Sequence, residues 1–238
     1  MIARSGDRVI GALGDIHGAF DAARDIIARH PEISIWLCVG DVADQEGRYE
    51  PLGARVYWIH GNNDNFDAIA AGALPQDLQH IPNATAIEAG GLRIAGLGGT
   101  FAPTWYESKA ADLPHPKKGS AKATELADKR RHFVREEVDA CRSLQAIDIF
   151  MTHEAPKPFR PFANNRPSTG LRAGGPDAGK AQINEILAAM QPRLHLFGHH
   201  HRFSDQHYEG VRSIGLDLVT RGYLRIDPET FQVDAVKY

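Results

Sequence analysis

The 238-residue chain carries 27 Lys+Arg against 30 Asp+Glu, a formal net charge of −3, with 42% hydrophobic and 24% charged residues. That balance excludes a disordered, collagenous or coiled-coil chain, and no apolar run approaches the ~18 residues that a membrane span requires. It also argues against binding nucleic acid by bulk charge, which leaves only a local basic patch for that purpose.

In chain order, the first predicted element is a buried strand over residues 9–13, running into Gly14-Asp15. Phe20, Ala23 and Ile27 recur at helical spacing and predict a short amphipathic helix closed by Pro31. Apolar runs at 33–39 and 55–59 predict two further strands, ending in Gly40-Asp41 and His60-Gly61-Asn62, which makes an α/β pattern. Cys38 lies in the first of these runs and reads as a small core residue. Residues 84–88 and 92–97 flank Gly90-Gly91 as a hairpin. An irregular stretch follows over 100–119. Leu126, Phe133, Val134, Val138, Cys141 and Leu144 then keep helical spacing and predict a long helix over 121–144. A buried strand over 147–152 ends at His153, and the Pro/Gly-rich stretch 154–177 shows no periodicity. A loop that long in a compact domain is usually functional. Ile183, Ile186, Leu187 and Met190 mark a second long helix stopped before Pro192. Residues 194–197 form a strand that runs into Gly198-His199-His200-His201, and the tail 211–238 alternates as antiparallel strands. No linker or repeat divides the chain. It reads as one domain, 1–238, with a cap or insert at about 100–145 and a substrate loop at about 154–178. The short polar N-terminus shows no signal peptide, and Cys38 and Cys141 are too few for a disulfide framework, so a cytoplasmic location is expected.

Five strands thus end in polar, glycine-flanked loops, and in α/β sheets ligands bind beyond the carboxyl ends of strands. The loops offer Asp15, His17, Asp41, Asn62, His153, His199 and His201. This mixed nitrogen and oxygen set lacks thiolate, which suits Zn, Fe, Mn, Ni or Co. Seven ligands exceed what one ion with an open position needs and match two ions sharing a carboxylate, the usual arrangement for phosphoester hydrolysis. Each residue also has a plainer reading. Asp15 and Asp41 could cap helices, Asn62 could occupy a left-handed turn, and His153 could be a core histidine. Asp44 and Asp64 could orient ligands or stabilise their own turns.

The ordered set Asp15-Ile16-His17, Gly40-Asp41, Gly61-Asn62-Asn63-Asp64, His153 and Gly198-His199-His200-His201 resembles the signature of the calcineurin-like metallophosphoesterases, over about residues 8–203. The resemblance implies a four-layer αββα sandwich of two mixed β-sheets flanked by helices. It implies two divalent metal ions, one held by Asp15, His17 and His201 and the other by Asn62, His153 and His199, with Asp41 bridging. The implied activity is phosphoester hydrolysis, with a metal-bound hydroxide attacking phosphorus in line. The expected partner is a phosphate-ester substrate, with nucleotides and nucleic acid among the candidates, and neither a membrane nor an obligate protein partner.

One position departs from the pattern. Many members carry His directly after the metal-binding Asn, where this sequence has Asn63, which donates a hydrogen bond but cannot act as a general acid. Either another group such as His200 or a metal-bound water supplies the proton, or the substrate has a leaving group that needs little help. The Gly-Asn-x-Asp form resembles a branch that is often made up of small bacterial phosphodiesterases, so a diesterase is expected, with Asn63 as a catalytic residue and His200 and Arg172 as substrate contacts. The alternatives are a phosphomonoesterase, an RNA-directed enzyme and a non-catalytic binding protein on the same fold. Lys117, Lys118, Lys122, Lys129, Arg130, Arg131 and Arg135 form either a solvated helix face or a basic lid for a polyanion. Phe159 and Phe162 either stack on a base or pin their loop to the core. Gly96-Leu97-Gly98-Gly99, the basic segment and the run from Ile147 to Pro156 are similar in layout to RNA lariat-debranching enzymes, from which Asn63 again departs.

Overall fold

The computed structural model describes residues 9–115, 128–161 and 176–238. The first sheet is built from β1 (Ile10–Leu13), β2 (Ile35–Cys38), β3 (Arg55–Trp58), β4 (Leu78–His80), β13 (Gly222–Ile226) and β14 (Val233–Lys237), in the order β14-β13-β1-β2-β3-β4. β1 to β4 are parallel, and β13 and β14 add antiparallel strands at the β1 edge. The second sheet contains β5 (Ala86–Ala89), β6 (Leu92–Leu97), β9 (Ile149–Thr152), β10 (Leu194–Phe197), β11 (Ser204–Tyr208) and β12 (Val211–Gly215), in the order β11-β12-β10-β9-β6-β5. Its four central strands are parallel and both edges are antiparallel. A small parallel pair, β7 (Thr100–Phe101) and β8 (His132–Phe133), stands apart.

The period of two along each strand builds the layers. Ile10 and Ala12 of β1 and Leu37 of β2 face the second sheet, where they meet Ile94, Ile149, Met151, Leu194, Leu196 and Ile214 in one buried cluster. The alternate residues Leu13, Trp36, Cys38, Val56 and Trp58 point outward against Phe20, Ala23, Ile26 and Ile27 of helix α1 (Phe20–Ala28). The second sheet does the same: Ala95, Leu97 and Phe150 pack outward on Val138 and Cys141 of α3 (Arg135–Arg142) and on Ile183, Ile186 and Leu187 of α4 (Ala181–Met190). The result is the four-layer αββα sandwich that the resemblance implied.

Two expectations need correction. The helix expected over 121–144 is much shorter. Residues 121–127, with Leu126, lie outside the described residues, Lys129–Arg131 form a single 3-10 turn, and Phe133 is on β8. The helix begins at Arg135, where Glu137 Oε2 accepts the Val134 N–H at 2.9 Å and closes the first turn. The tail is not a purely antiparallel unit either. It splits between the sheets: β12 lies parallel to β10 in the second sheet, whereas β13 and β14 form an antiparallel pair in the first. A short helix α2 (Phe66–Ala70), capped by Asn65 accepting from Ala68 N, and the strand β4 were not anticipated. Among the described residues no helix is long and apolar enough to cross a membrane.

Candidate metal centre

The loops after β1, β2, β3, β9 and β10 meet at one end of the sandwich. Asp15 and Asp41 do not cap helices. The Asp15 carboxylate accepts the His199 N–H (3.1 Å), the Asp41 Oδ1 accepts the Asn63 N–H (2.8 Å), and α1 is capped without a side chain at Ala19. Asn62 is not in a left-handed conformation, whereas His17 (φ 47), Asp41 (φ 51), His199 (φ 67) and His201 (φ 49) are. Each such non-glycine residue costs on the order of 1–3 kcal/mol, and strain of this kind persists where the surroundings over-determine it.

Asp15, His17 and His201 form one triad and Asp41, His153 and His199 a second, with the ligating atoms of each within 4.8 Å of one another. In the first, His201 Nε2 is 3.0 Å from Asp15 Oδ2, and the His17 and His201 Nε2 atoms face each other at 3.1 Å. In the second, His153 Nε2 lies 3.5 Å from Asp41 Oδ2 and 3.1 Å from Asn62 Oδ1. The Asp41 carboxylate also sits 3.6 Å from His17 Nε2, so it stands between the triads. His153 Nδ1 donates to the Val39 carbonyl at 2.8 Å, which fixes the ring and turns Nε2 toward the site. Burial opposes charge on Asp41 and on His153. Their mutual attraction prevails, holding the Asp41 carboxyl well below the usual range and raising His153 to about 10. Burial, reinforced by His153, lowers His199 to about 4. A cavity that concentrates carboxylates and imidazoles in this way suits divalent cations, which replace the protons that otherwise balance the charge.

A family profile for calcineurin-like phosphoesterases matches residues 8–203. The chain belongs to this family. It is a metal-dependent phosphoesterase, and the family uses two metal ions. No match is found among curated protein sequences. Among solved structures, TT1561 of Thermus thermophilus superposes with a TM-score of 0.64 at 14% identity, over 97% of this chain and 98% of that one. The Thermus thermophilus sulfate thiohydrolase SoxB gives 0.53 at 12% identity, over 100% and 58%. GAP50, the anchor in the inner membrane complex of Plasmodium, gives 0.51 at 11% identity, over 98% and 89%. At these identities the likeness is one of fold.

Around the triads, the phosphoesterase holds its loops with groups that sequence reasoning weighed only loosely. The buried Asp64 carboxylate accepts four backbone N–H groups, from Asp41 (3.0 Å), Val42 (2.9 Å), Ala43 (3.0 Å) and Gly61 (2.7 Å), and so ties the β2 loop to the β3 loop. Burial and the neighbouring Asp41 charge raise its carboxyl to about 6, against the pull of those donors. Asp44 instead serves its own turn, accepting from Glu46 and Arg48. Asn63 Nδ2 donates to Asp41 Oδ2 at 2.8 Å, which puts the amide against the carboxylate between the triads.

His200 packs on Phe159, with ring centroids 4.9 Å apart, and its Nε2 lies 3.7 Å from Glu154 Oε2. Glu154 was not singled out from the sequence, and its position beside His153 was the available signal. It is buried, accepts the Phe101 N–H (3.1 Å) and lies 3.6 Å from Lys180 Nζ. Phe159 is buried against Phe197, so it pins its loop. Arg172, Phe162, Lys117, Lys118 and Lys122 lie outside the described residues. Of the rest of the basic segment, Arg130 pairs with Asp128 and Asp67, and Arg135 pairs with Glu107.

Proposed function

We propose that the two triads and Asn62 form a dinuclear metal centre for phosphodiester hydrolysis. Asp15, His17 and His201 would hold one ion, Asn62, His153 and His199 the other, and Asp41 would bridge them; Mn, Fe, Zn, Ni and Co all suit this donor set. The observation that carries the reading is the position of Asp41, 3.6 Å from His17 Nε2 in one triad and 3.5 Å from His153 Nε2 in the other. When bound, such ions supply a hydroxide nucleophile near neutral pH and offset charge on the phosphoryl oxygens. The chain's own residues set the geometry. Asp64 fixes the backbone at Asp41, the Val39 carbonyl fixes the His153 ring, and Asn63 orients the Asp41 carboxylate and has a hydrogen bond to offer a phosphate. Asn63 has no proton to give to a leaving group, and His200 faces Glu154, so diesters with good leaving groups are the favoured substrates. The whole chain, 1–238, acts as one domain in this reading.

The test is paired. Protein purified without chelator is assayed for metal content, and turnover of bis-p-nitrophenyl phosphate is compared with that of p-nitrophenyl phosphate with added Mn. About two metals per chain and faster diester turnover are expected. Asp41→Asn and His153→Ala should each lower turnover by about a hundredfold or more with the fold intact. Near-normal turnover in both variants would sink the dinuclear assignment. Faster turnover of the monoester would make the chain a phosphatase. No metal uptake and no turnover of either ester would leave a binding protein on this fold.

A further inference from the structure

A cavity of about 360 Å³ opens at the same end of the sandwich as the metal centre. Strand register shows why. β13 is antiparallel to β1 with Tyr223 opposite Leu13, and Lys237 of β14 is opposite Gly222. The Gly222 and Lys237 ends of these strands therefore lie where β1 releases Asp15. The cavity wall touches that loop directly. The Asp217 carbonyl occupies the space of a Cβ on Gly14 (1.8 Å), and Val219 N–H donates to the Asp15 carbonyl at 3.1 Å. Arg202, another wall residue, follows His201 by one Cα step of about 3.8 Å. The cavity begins one residue from the triad Asp15, His17 and His201.

Its lining combines rings and positive charge. Arg202, Arg221, Lys237 and Asp217 line it; Asp217 Oδ1 accepts from Arg221 Nη1 (3.1 Å) and the Leu218 N–H (2.8 Å), and Arg202 Nη1 donates to the Pro161 carbonyl. Lys237 Nζ sits 4.8 Å from the centroid of the Phe203 ring, and the Tyr238 ring is 6.0 Å from that of Tyr223. Among the described residues, Tyr238 is the one large hydrophobic side chain left exposed, at 60%. An exposed aromatic ring on the rim of a cationic cavity is suited to a ligand that is itself a ring carrying an anion. The volume falls in the range of about 300–1,000 Å³ common for small-molecule sites.

We propose that this cavity is a nucleotide subsite, with a base stacked on Tyr238 and the positive charge of Arg202, Arg221 and Lys237 drawing the nucleotide's phosphate toward the adjacent metal centre. Resting on the phosphodiesterase reading, it makes the substrate a nucleotide diester whose nucleoside lies on the β13–β14 side of the metal centre. Two measurements test it. The first is calorimetric titration of the full chain as purified with adenosine 5′-monophosphate and with inorganic phosphate. The nucleotide should bind more tightly than phosphate, and Tyr238→Ala and Lys237→Gln should each weaken it about tenfold. No nucleotide binding, or binding unchanged in either variant, overturns the subsite. The second, on metal-loaded enzyme, compares kcat/KM for thymidine 5′-monophosphate p-nitrophenyl ester and methyl p-nitrophenyl phosphate. The nucleotide ester should be favoured about tenfold, and the ratio should fall toward one in Tyr238→Ala. A ratio near one in the wild type overturns the substrate assignment. Loss of turnover on every ester rejects the phosphodiesterase reading instead, and the titration still decides the subsite.

Discussion

Gly61 and Gly198 show how tightly the proposed ligands are interlocked. A Cβ on Gly61 would sit 2.0 Å from Asp41 Oδ1, and one on Gly198 would sit 2.5 Å from Asp15 Oδ1, far inside van der Waals contact. Each glycine precedes one ligand and makes room for the carboxylate of another. Gly61→Ala should therefore displace Asp41 and lower metal content and turnover together, by about tenfold or more, the scale seen when groups supporting metal ligands are removed. Metal analysis alongside the diester assay checks this, and full metal occupancy in Gly61→Ala would show that the loop absorbs the methyl. Steric coupling of this kind is why the candidate site was so legible: the glycine-ligand pairs had to remain adjacent in sequence for the loops to fit. Asp64 was harder to read because its role depends on where the N–H groups of Asp41, Val42 and Ala43 point, more than twenty residues upstream. Glu154 has only its place beside His153 to mark it, and its partners His200 and Lys180 come from separate loops that local spacing does not connect to it.

At the scale of single elements, β10 carries a buried histidine between the rings of Phe150 and Phe197. His195 bonds Thr152 Oγ1 (2.9 Å) on β9 and Ser213 Oγ (3.0 Å) on β12, so it stitches three strands together. Burial pushes its pKa down to about 3, against about 6.5 in an unfolded chain. The depressed value sets the sign: between about pH 6.5 and 3 the unfolded state binds the proton and the native state does not. Stability therefore falls on acidification through this window, by up to about 1.4 kcal/mol per pH unit from this residue. Urea unfolding at pH 7 and pH 5 should give a steeper loss for the wild type than for His195→Gln, and equal slopes would show that His195 takes up a proton in the fold. The long elements here were readable because burial on both faces makes continuous apolar runs. The helix expected over 121–144 was overextended because Phe133 and Val134 fit helical spacing, yet Phe133 serves the two-residue strand β8. Alternation in the tail revealed a buried face but could not say which sheet each strand joins, and β4 and α2 are too short to show a period.

For the whole molecule, the decisive feature is that neither triad belongs to one sheet. Asp15, His17, Asp41 and Asn62 leave strands of the first sheet, whereas His153, His199 and His201 leave strands of the second. The pattern of strand-ending loops made this end of the fold visible from sequence, but not the division of each triad between layers, which follows from sheet order. The consequence is kinetic. His17 and His201 are 184 residues apart, and the sheets must dock before their side chains meet. A cation held across the seam should act as a late-fastened clasp: absent from the folding transition state, present in the native state. Metal at about a hundred times its dissociation constant stabilises a single-site protein by about 2.7 kcal/mol. Nearly all of that should appear as slower unfolding, on the order of a hundredfold, with refolding unchanged. Stopped-flow unfolding and refolding with Mn or with chelator separates the two limbs. A refolding rate that climbs with metal would mean that the sheets meet at this end first.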